Sequence, residues 1–150
     1  MTTLQTLLSR AESERDQLLA AHRRAEEQAR RMQAQAEQLN AYRGEYQTRW
    51  AGQFSRRGEI EIVHCYQSFM QRLEEALAQQ QRHAEAAQAQ CQRLCQALLA
   101  AEMRVASVRK LMDRRHAEQR LAQDRRDQRQ TDETAQQILW RAAQAEAAQH

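Results

Sequence analysis

Cysteine and histidine offer the most chemistry in this chain, and their spacing limits what that chemistry is. Cys91 and Cys95 stand four residues apart, one turn if the segment is helical, and His64 adjoins Cys65. A structural zinc site needs four ligands in tetrahedral geometry. Two thiols without a second pair at ligand spacing make an incomplete set, and His83, two turns before Cys91, does not complete it. No metal site is expected. No phosphate-cradling glycine loop, GxSxG elbow or HExxH pair occurs. Acids and bases are plentiful, but on solvated helix faces nothing desolvates them or shifts their titration. The sequence therefore predicts no catalytic residue, no cofactor-binding residue, no cofactor and no enzyme.

The elements that carry these residues are read from a second pattern. Apolar residues recur at steps of four and three in two long stretches. The first runs Leu4, Leu8, Ala11, Arg15, Leu18, His22, Ala25, Ala29, Met32, Ala36, Leu39, Arg43, Tyr46, Trp50. The second runs Tyr66, Met70, Leu73, Leu77, Gln80, Ala84, Ala87, Cys91, Leu94, Leu98, Ala101, Val105, Val108, Met112. That spacing keeps one stripe of a helix facing a partner helix. Pairing the first seam position with the last, the second with the next to last, and so on, gives residue numbers that always add to 116. The seams match in length and fold back on one another about Gly58. The predicted fold is all-α: a long antiparallel two-helix coiled coil, or hairpin, with a C-terminal helical extension. Cys91 becomes an ordinary small seam residue on this reading. Arg15, His22 and Arg43 interrupt the first seam and either tune its register or mark it as weak, and they are not read as catalysts.

One coiled-coil domain over residues 1–150 is expected, with arm one at about 3–50, a bend at about 51–58, arm two at about 59–112 and the extension at 113–150. Thr2 or Thr3 caps the first helix. All three glycines fall between 44 and 58, and there is no proline. Gly44 lies within the heptad pattern and weakens the arm without ending it. Gly52, Ser55 and Gly58 mark the bend. Beyond Met112 the seam positions become Arg115, Gln119, Ala122, Arg126 and Arg129, which form no apolar stripe. Nothing there breaks a helix, so the extension is either a solvated helix or a segment that packs on a partner, ending in the apolar cluster Ile138, Leu139 and Trp140.

Charge narrows the partners. The net charge is +3, and both signs are interspersed throughout: residues 1–50 carry eight arginines and seven acids, and residues 113–150 carry seven of each sign. A nucleic-acid binder concentrates its bases on one face or tail. Interspersed signs suit solvated helices, so no nucleic acid is expected as a ligand. No signal-peptide core and no membrane-spanning stretch is legible, and an odd number of cysteines fits a reducing compartment. Both point to a cytoplasmic protein.

Six of the seven aromatic residues lie between 42 and 69, and the hairpin register gathers them at the bend end. Gln35, Tyr42, Phe69 and Ala76 fall just outside the seam, beside Leu39, Tyr46, Leu73 and Gln80 within it. An apolar surface wider than two helices need for each other marks a protein-binding site. The competing reading is that the aromatics close the hairpin end.

The run Leu39-Asn40-x-Tyr42-x3-Tyr46-x2-Arg49-Trp50, then Gly58, then Tyr66-Gln67-x-Phe69-x3-Leu73-x2-Ala76, resembles the FliJ family of flagellar type III export proteins. The segment Asp127-Gln128-Arg129-Gln130-Thr131-Asp132-Glu133 is similar to that family's C-terminal stretch. The resemblance implies a stalk-like coiled coil that binds the hexameric flagellar export ATPase, couples it to the export gate protein FlhA and handles export chaperones. It implies a cytoplasmic protein held peripherally at the cytoplasmic face of the inner membrane through the export apparatus. The gate-docking residues would be Gln35, Leu39, Tyr42, Tyr46, Phe69, Leu73, Ala76 and Gln80, the last standing where the family pattern often has histidine. The ATPase-facing residues would be Arg10 and Arg15 together with Arg114, Arg115, Arg120, Arg125 and Arg126. The alternatives are the equivalent stalk of a virulence injectisome and a structural coiled coil self-assembling through its aromatic end.

Overall fold

The structure, a computed structural model, describes residues 2–54 and 60–149. Two α-helices account for nearly all of them: α1, Thr3–Phe54, and α2, Ile60–Ala148. Among the described residues there is no strand. The two helices pack against each other antiparallel, as the matched seams predict.

The start of α1 is fixed by its first residues. The Gln5 amide donates to Thr2 Oγ1 at 3.3 Å, and the Thr2 amide donates to Gln5 Oε1 at 3.0 Å. This reciprocal pair is a capping box, which satisfies two backbone donors otherwise left open at a helix start. Of the two threonines proposed as caps, Thr2 fills the role. At its other end α1 runs through Phe54, four residues beyond the expected limit at Trp50. Gly52 is helical with a negative φ, at a cost of about 1 kcal/mol against alanine, which the surrounding helix absorbs. The remainder of the expected bend, residues 55–58, lies outside the described residues.

The chain divides into two compact units, one of Ser9–Met103 and one of Met1–Leu8 with Arg104–His150. The first contains most of the seam. Every seam position on α1 and α2 within it is buried or half-buried, while the residues on the outer faces are overwhelmingly exposed. Its buried positions are Ala29, Ala36, Met70, Leu73, Ala84, Cys91, Leu98 and Ala101, and the three deepest are alanines, with Ala101 only 1% exposed. Alanine at so many contacts lets the two backbones approach closely and leaves a strip, not a globular core. The cross-helix contacts confirm the register. His22 meets Cys91, Met32 and Gln35 meet Gln80, Tyr46 meets Tyr66 and Phe69, and Trp50 meets Tyr66. The residue numbers of each pair add to between 112 and 116, within about one helical turn of the 116 read from the seams.

The second unit holds Leu4 and Val105 as its buried apolar residues, with Leu8, Val108 and Met112 half-buried. From Asp113 to Gln149 every residue is exposed. Intrinsic propensity favours the helix here: the stretch is rich in alanine, glutamine, arginine and glutamate, and has neither glycine nor proline. Local bonds add to it, among them Gln123 Nε2 to Asp127 Oδ1 at 3.0 Å and the Thr131 hydroxyl to the Asp127 carbonyl at 2.9 Å.

Candidate protein-docking surface

Two flanks run beside the seam in the unit Ser9–Met103, and they differ in chemistry. Gln35 and Tyr42 each directly precede a seam residue of α1, and Phe69 and Ala76 each directly precede a seam residue of α2. In an antiparallel pair, positions of that kind fall on the same side. One contact demonstrates this: Gln80 Nε2 donates to Gln35 Oε1 at 3.0 Å, with Met32 Sδ at 3.6 Å from the same nitrogen. The amide clasp joins the two helices at one end of the flank.

Aromatic rings occupy the other end. Tyr46 lies at the centre of the group. Its ring centroid is 4.3 Å from Phe69, 5.9 Å from Tyr66, 5.7 Å from Trp50 and 6.2 Å from Tyr42. Such offset and tilted arrangements are the favourable ones for aromatic quadrupoles. Tyr42 rests on Tyr46 and remains 45% exposed, more than Tyr46, Trp50, Tyr66 or Phe69. Tyr46 and Phe69 are half-buried, as are Leu39 and Gln80. Gln35 and Ala76 are exposed. Leu73 differs: it is only 7% exposed, packed in the seam beneath the flank. Of the eight residues expected to dock a partner, contacts join Gln35 to Gln80 and Tyr42 through Tyr46 to Phe69; seven of the eight have accessible surface and Leu73 is buried.

The opposite flank mixes polar residues with Ala36, Leu77 and Ala78. Gln33, Glu37, Asn40 and Arg43 of α1 face Glu74 and Gln81 of α2 across an open groove of about 470 Å³. An open groove does not exclude water, so it lacks the desolvation that strengthens electrostatics in a catalytic site.

The histidine and cysteine contacts are local to the seam. His22 Nδ1 is 3.1 Å from Glu26 Oε1, and its Nε2 lies 3.8 Å from Cys91 Sγ. The imidazole interrupts an apolar stripe, yet both its nitrogens face polar partners, which is how a seam tolerates it. The sequence treated His22 as a register residue and Cys91 as core without linking them. The 116 register had placed His22 opposite Leu94, one turn from its actual neighbour. Among the described residues no three histidine, cysteine or acidic side chains converge as metal ligands. Cys65 is exposed and Cys95 half-buried.

The arginines expected to face an ATPase fall in both units and are described separately. In the unit Ser9–Met103, Arg10 is exposed, and Arg15 places Nε and Nη2 at 3.1 and 3.0 Å from Asp16 Oδ1. Arg15 occupies a seam position with its stem half-buried and its head turned to solvent, the usual compromise for a long cationic side chain. In the other unit, Arg114, Arg115, Arg120, Arg125 and Arg126 are all exposed on α2. Farther along the same helix Ile138, Leu139 and Trp140 are exposed too, Trp140 by 64%.

A helical hairpin with an aromatic flank beside its seam belongs to the class of coiled-coil proteins whose chemistry is displayed on the surface. Agreement with a family model narrows this class. The model, described as flagellar FliJ protein, matches residues 1–144, and the chain belongs to that family. Comparison with curated protein sequences and with solved structures gave no significant match. Membership makes the chain a component of the flagellar type III export system. Among the described residues no helix is long and apolar enough to cross a membrane.

Proposed function

We propose that the chain is a stalk-like adaptor without chemistry of its own. It binds the hexameric flagellar export ATPase, couples that ring to the export gate protein FlhA and takes part in handling export chaperones. The observation that carries this reading is the aromatic flank, where Tyr42 stands exposed on a base of Tyr46 and Phe69. Two helices closing on each other have no need of a ring left in water, and tyrosine is enriched where one protein surface meets another. The gate-docking surface is Gln35, Leu39, Tyr42, Tyr46, Phe69, Ala76 and Gln80, with Leu73 beneath. The ATPase-facing residues are Arg10 and Arg15 on α1 and Arg114, Arg115, Arg120, Arg125 and Arg126 on α2, where interspersed charge suits a polar and reversible fit. The protein acts in the cytoplasm, peripherally at the inner membrane through its partners, and needs neither cofactor nor nucleic acid.

The test is ATP hydrolysis by the purified cognate export ATPase, with and without this protein, alongside binding to the cytoplasmic domain of FlhA. Stimulated hydrolysis together with ring assembly supports the ATPase half of the reading. Equal hydrolysis in both samples and no binding to either partner would refute it.

A further inference from the structure

The docking surface proposed above ends at Tyr46 and Phe69, but the ring contacts do not. Tyr46 is stacked against Tyr66 at an interplanar angle of 17°, and Trp50 meets Tyr46 edge-on at 60°. Trp50 and Tyr66 contact each other across the helices with centroids 5.5 Å apart. Both are half-buried seam residues. Elsewhere the seam is built largely from alanine and leucine, with methionine and valine. Leucine is the ordinary residue for such positions and serves a two-helix contact well. The seam itself therefore gives no reason for a tryptophan and a tyrosine at 50 and 66.

The reason lies on the far side of Tyr46. Its ring has Tyr66 and Trp50 as neighbours within α1 and α2, and Phe69 and Tyr42 on the flank. With Tyr66 and Trp50 in place, Tyr46 is confined by rings. With smaller side chains there, it gains space toward the seam, and Tyr42 loses the fixed surface on which it rests. Resting on the docking reading above, we propose that Trp50 and Tyr66 are positioning residues of the docking surface: they touch no partner, and they hold Tyr46, and through it Tyr42, in the arrangement that a partner meets. A preordered ring spares the complex the entropy of immobilising it, a cost equivalent to about two- to tenfold in affinity for each rotamer-rich side chain.

The experiment compares the full-length chain with W50L/Y66L, W50F/Y66F and Y42A. Affinity for the purified cytoplasmic domain of FlhA is measured by calorimetry. Near-ultraviolet circular dichroism reports ring order, and thermal melting with far-ultraviolet dichroism reports the hairpin. The leucine pair is expected to keep helicity and melting temperature, lose near-ultraviolet ellipticity beyond that due to the removed rings, and bind about two- to tenfold more weakly. The phenylalanine pair, which restores rings at both positions, is expected to recover both signals. If the leucine pair binds as the parent does while Y42A fails to bind, the positioning role is overturned and the docking reading stands. If the parent and Y42A behave alike toward FlhA, the docking reading itself fails, and the positioning role toward this partner fails with it. If the leucine pair melts early, the phenylalanine pair decides: parental melting with weakened binding would overturn the proposal.

Discussion

Gly44 is a glycine that the fold does not require. It sits within α1 with a negative φ, and a Cβ built on it meets no atom within 4 Å. Replacing Gly44 with alanine therefore introduces neither backbone strain nor a clash. Only the propensity difference remains, about 0.8–1.0 kcal/mol in favour of alanine in a helix interior. The Thr48 hydroxyl bonds the Gly44 carbonyl at 3.0 Å, and the substitution leaves that bond intact. For a chain of this size a gain of about 1 kcal/mol raises the melting temperature by about 2–4 °C. The extension can melt separately from the hairpin, so total helicity is the wrong probe. Trp50 lies in the same unit as Gly44, and its fluorescence in a W140F background follows that unit alone. Urea titration of G44A/W140F against W140F should move the midpoint up with an unchanged slope. Gly44 also follows the seam residue Arg43 directly, away from the flank that carries Tyr42, so FlhA binding should not change. An unchanged or lowered midpoint would refute the reasoning and mean that the bend end uses conformations closed to alanine.

Four further outcomes are expected. Leu73→Ala should cost about 2–5 kcal/mol, as a buried leucine does, and weaken docking only through lost folding. Tyr42→Ala should abolish docking with a much smaller shift in the urea midpoint, so equal losses of stability would contradict the division into support and contact. Truncation after Met112 removes no buried residue among those described; the hairpin midpoint should stay within about 0.5 kcal/mol, the range of surface changes, while ATPase stimulation is lost, and a fragment that still stimulates would exclude the extension as the contact. A thiol reagent should modify exposed Cys65 at once and Cys91, at 9% exposure, only on denaturation; simultaneous labelling of both would show that the seam opens readily.

The fold was legible because a coiled coil writes its contacts into a simple period. Each seam position from Leu4 to Trp50 and from Tyr66 to Met112 is buried or half-buried, including the polar ones, Arg15, His22, Arg43 and Gln80. The four-and-three spacing decides this regardless of side-chain type. The end of α1 was less legible, because Ala51 and Gln53 are adequate helix formers and a single glycine is too small a penalty to stop a helix. At the docking surface, position on the flank followed from the same period, but depth did not. Leu73 and Tyr42 were read as equivalent, whereas one lies beneath the surface and the other upon it. The period fixes an angle around the helix axis, and the reach of each side chain fixes the rest. The His22–Cys91 contact was missed for a related reason: a long side chain leans along its helix and meets a neighbour one turn away from its formal opposite.

The exposed helix from Asp113 to Gln149 also sets a clock for backbone exchange. Its amides are held by helix–coil equilibrium alone, without a buried face to make opening cooperative. In heavy water these amides should take up deuterium long before those around Ala101 and Val105, and proteases should trim the chain from this end inward to Met112. Captured by a partner, the same stretch would fall silent in exchange, so deuterium uptake reports occupancy of this segment without any label or mutation.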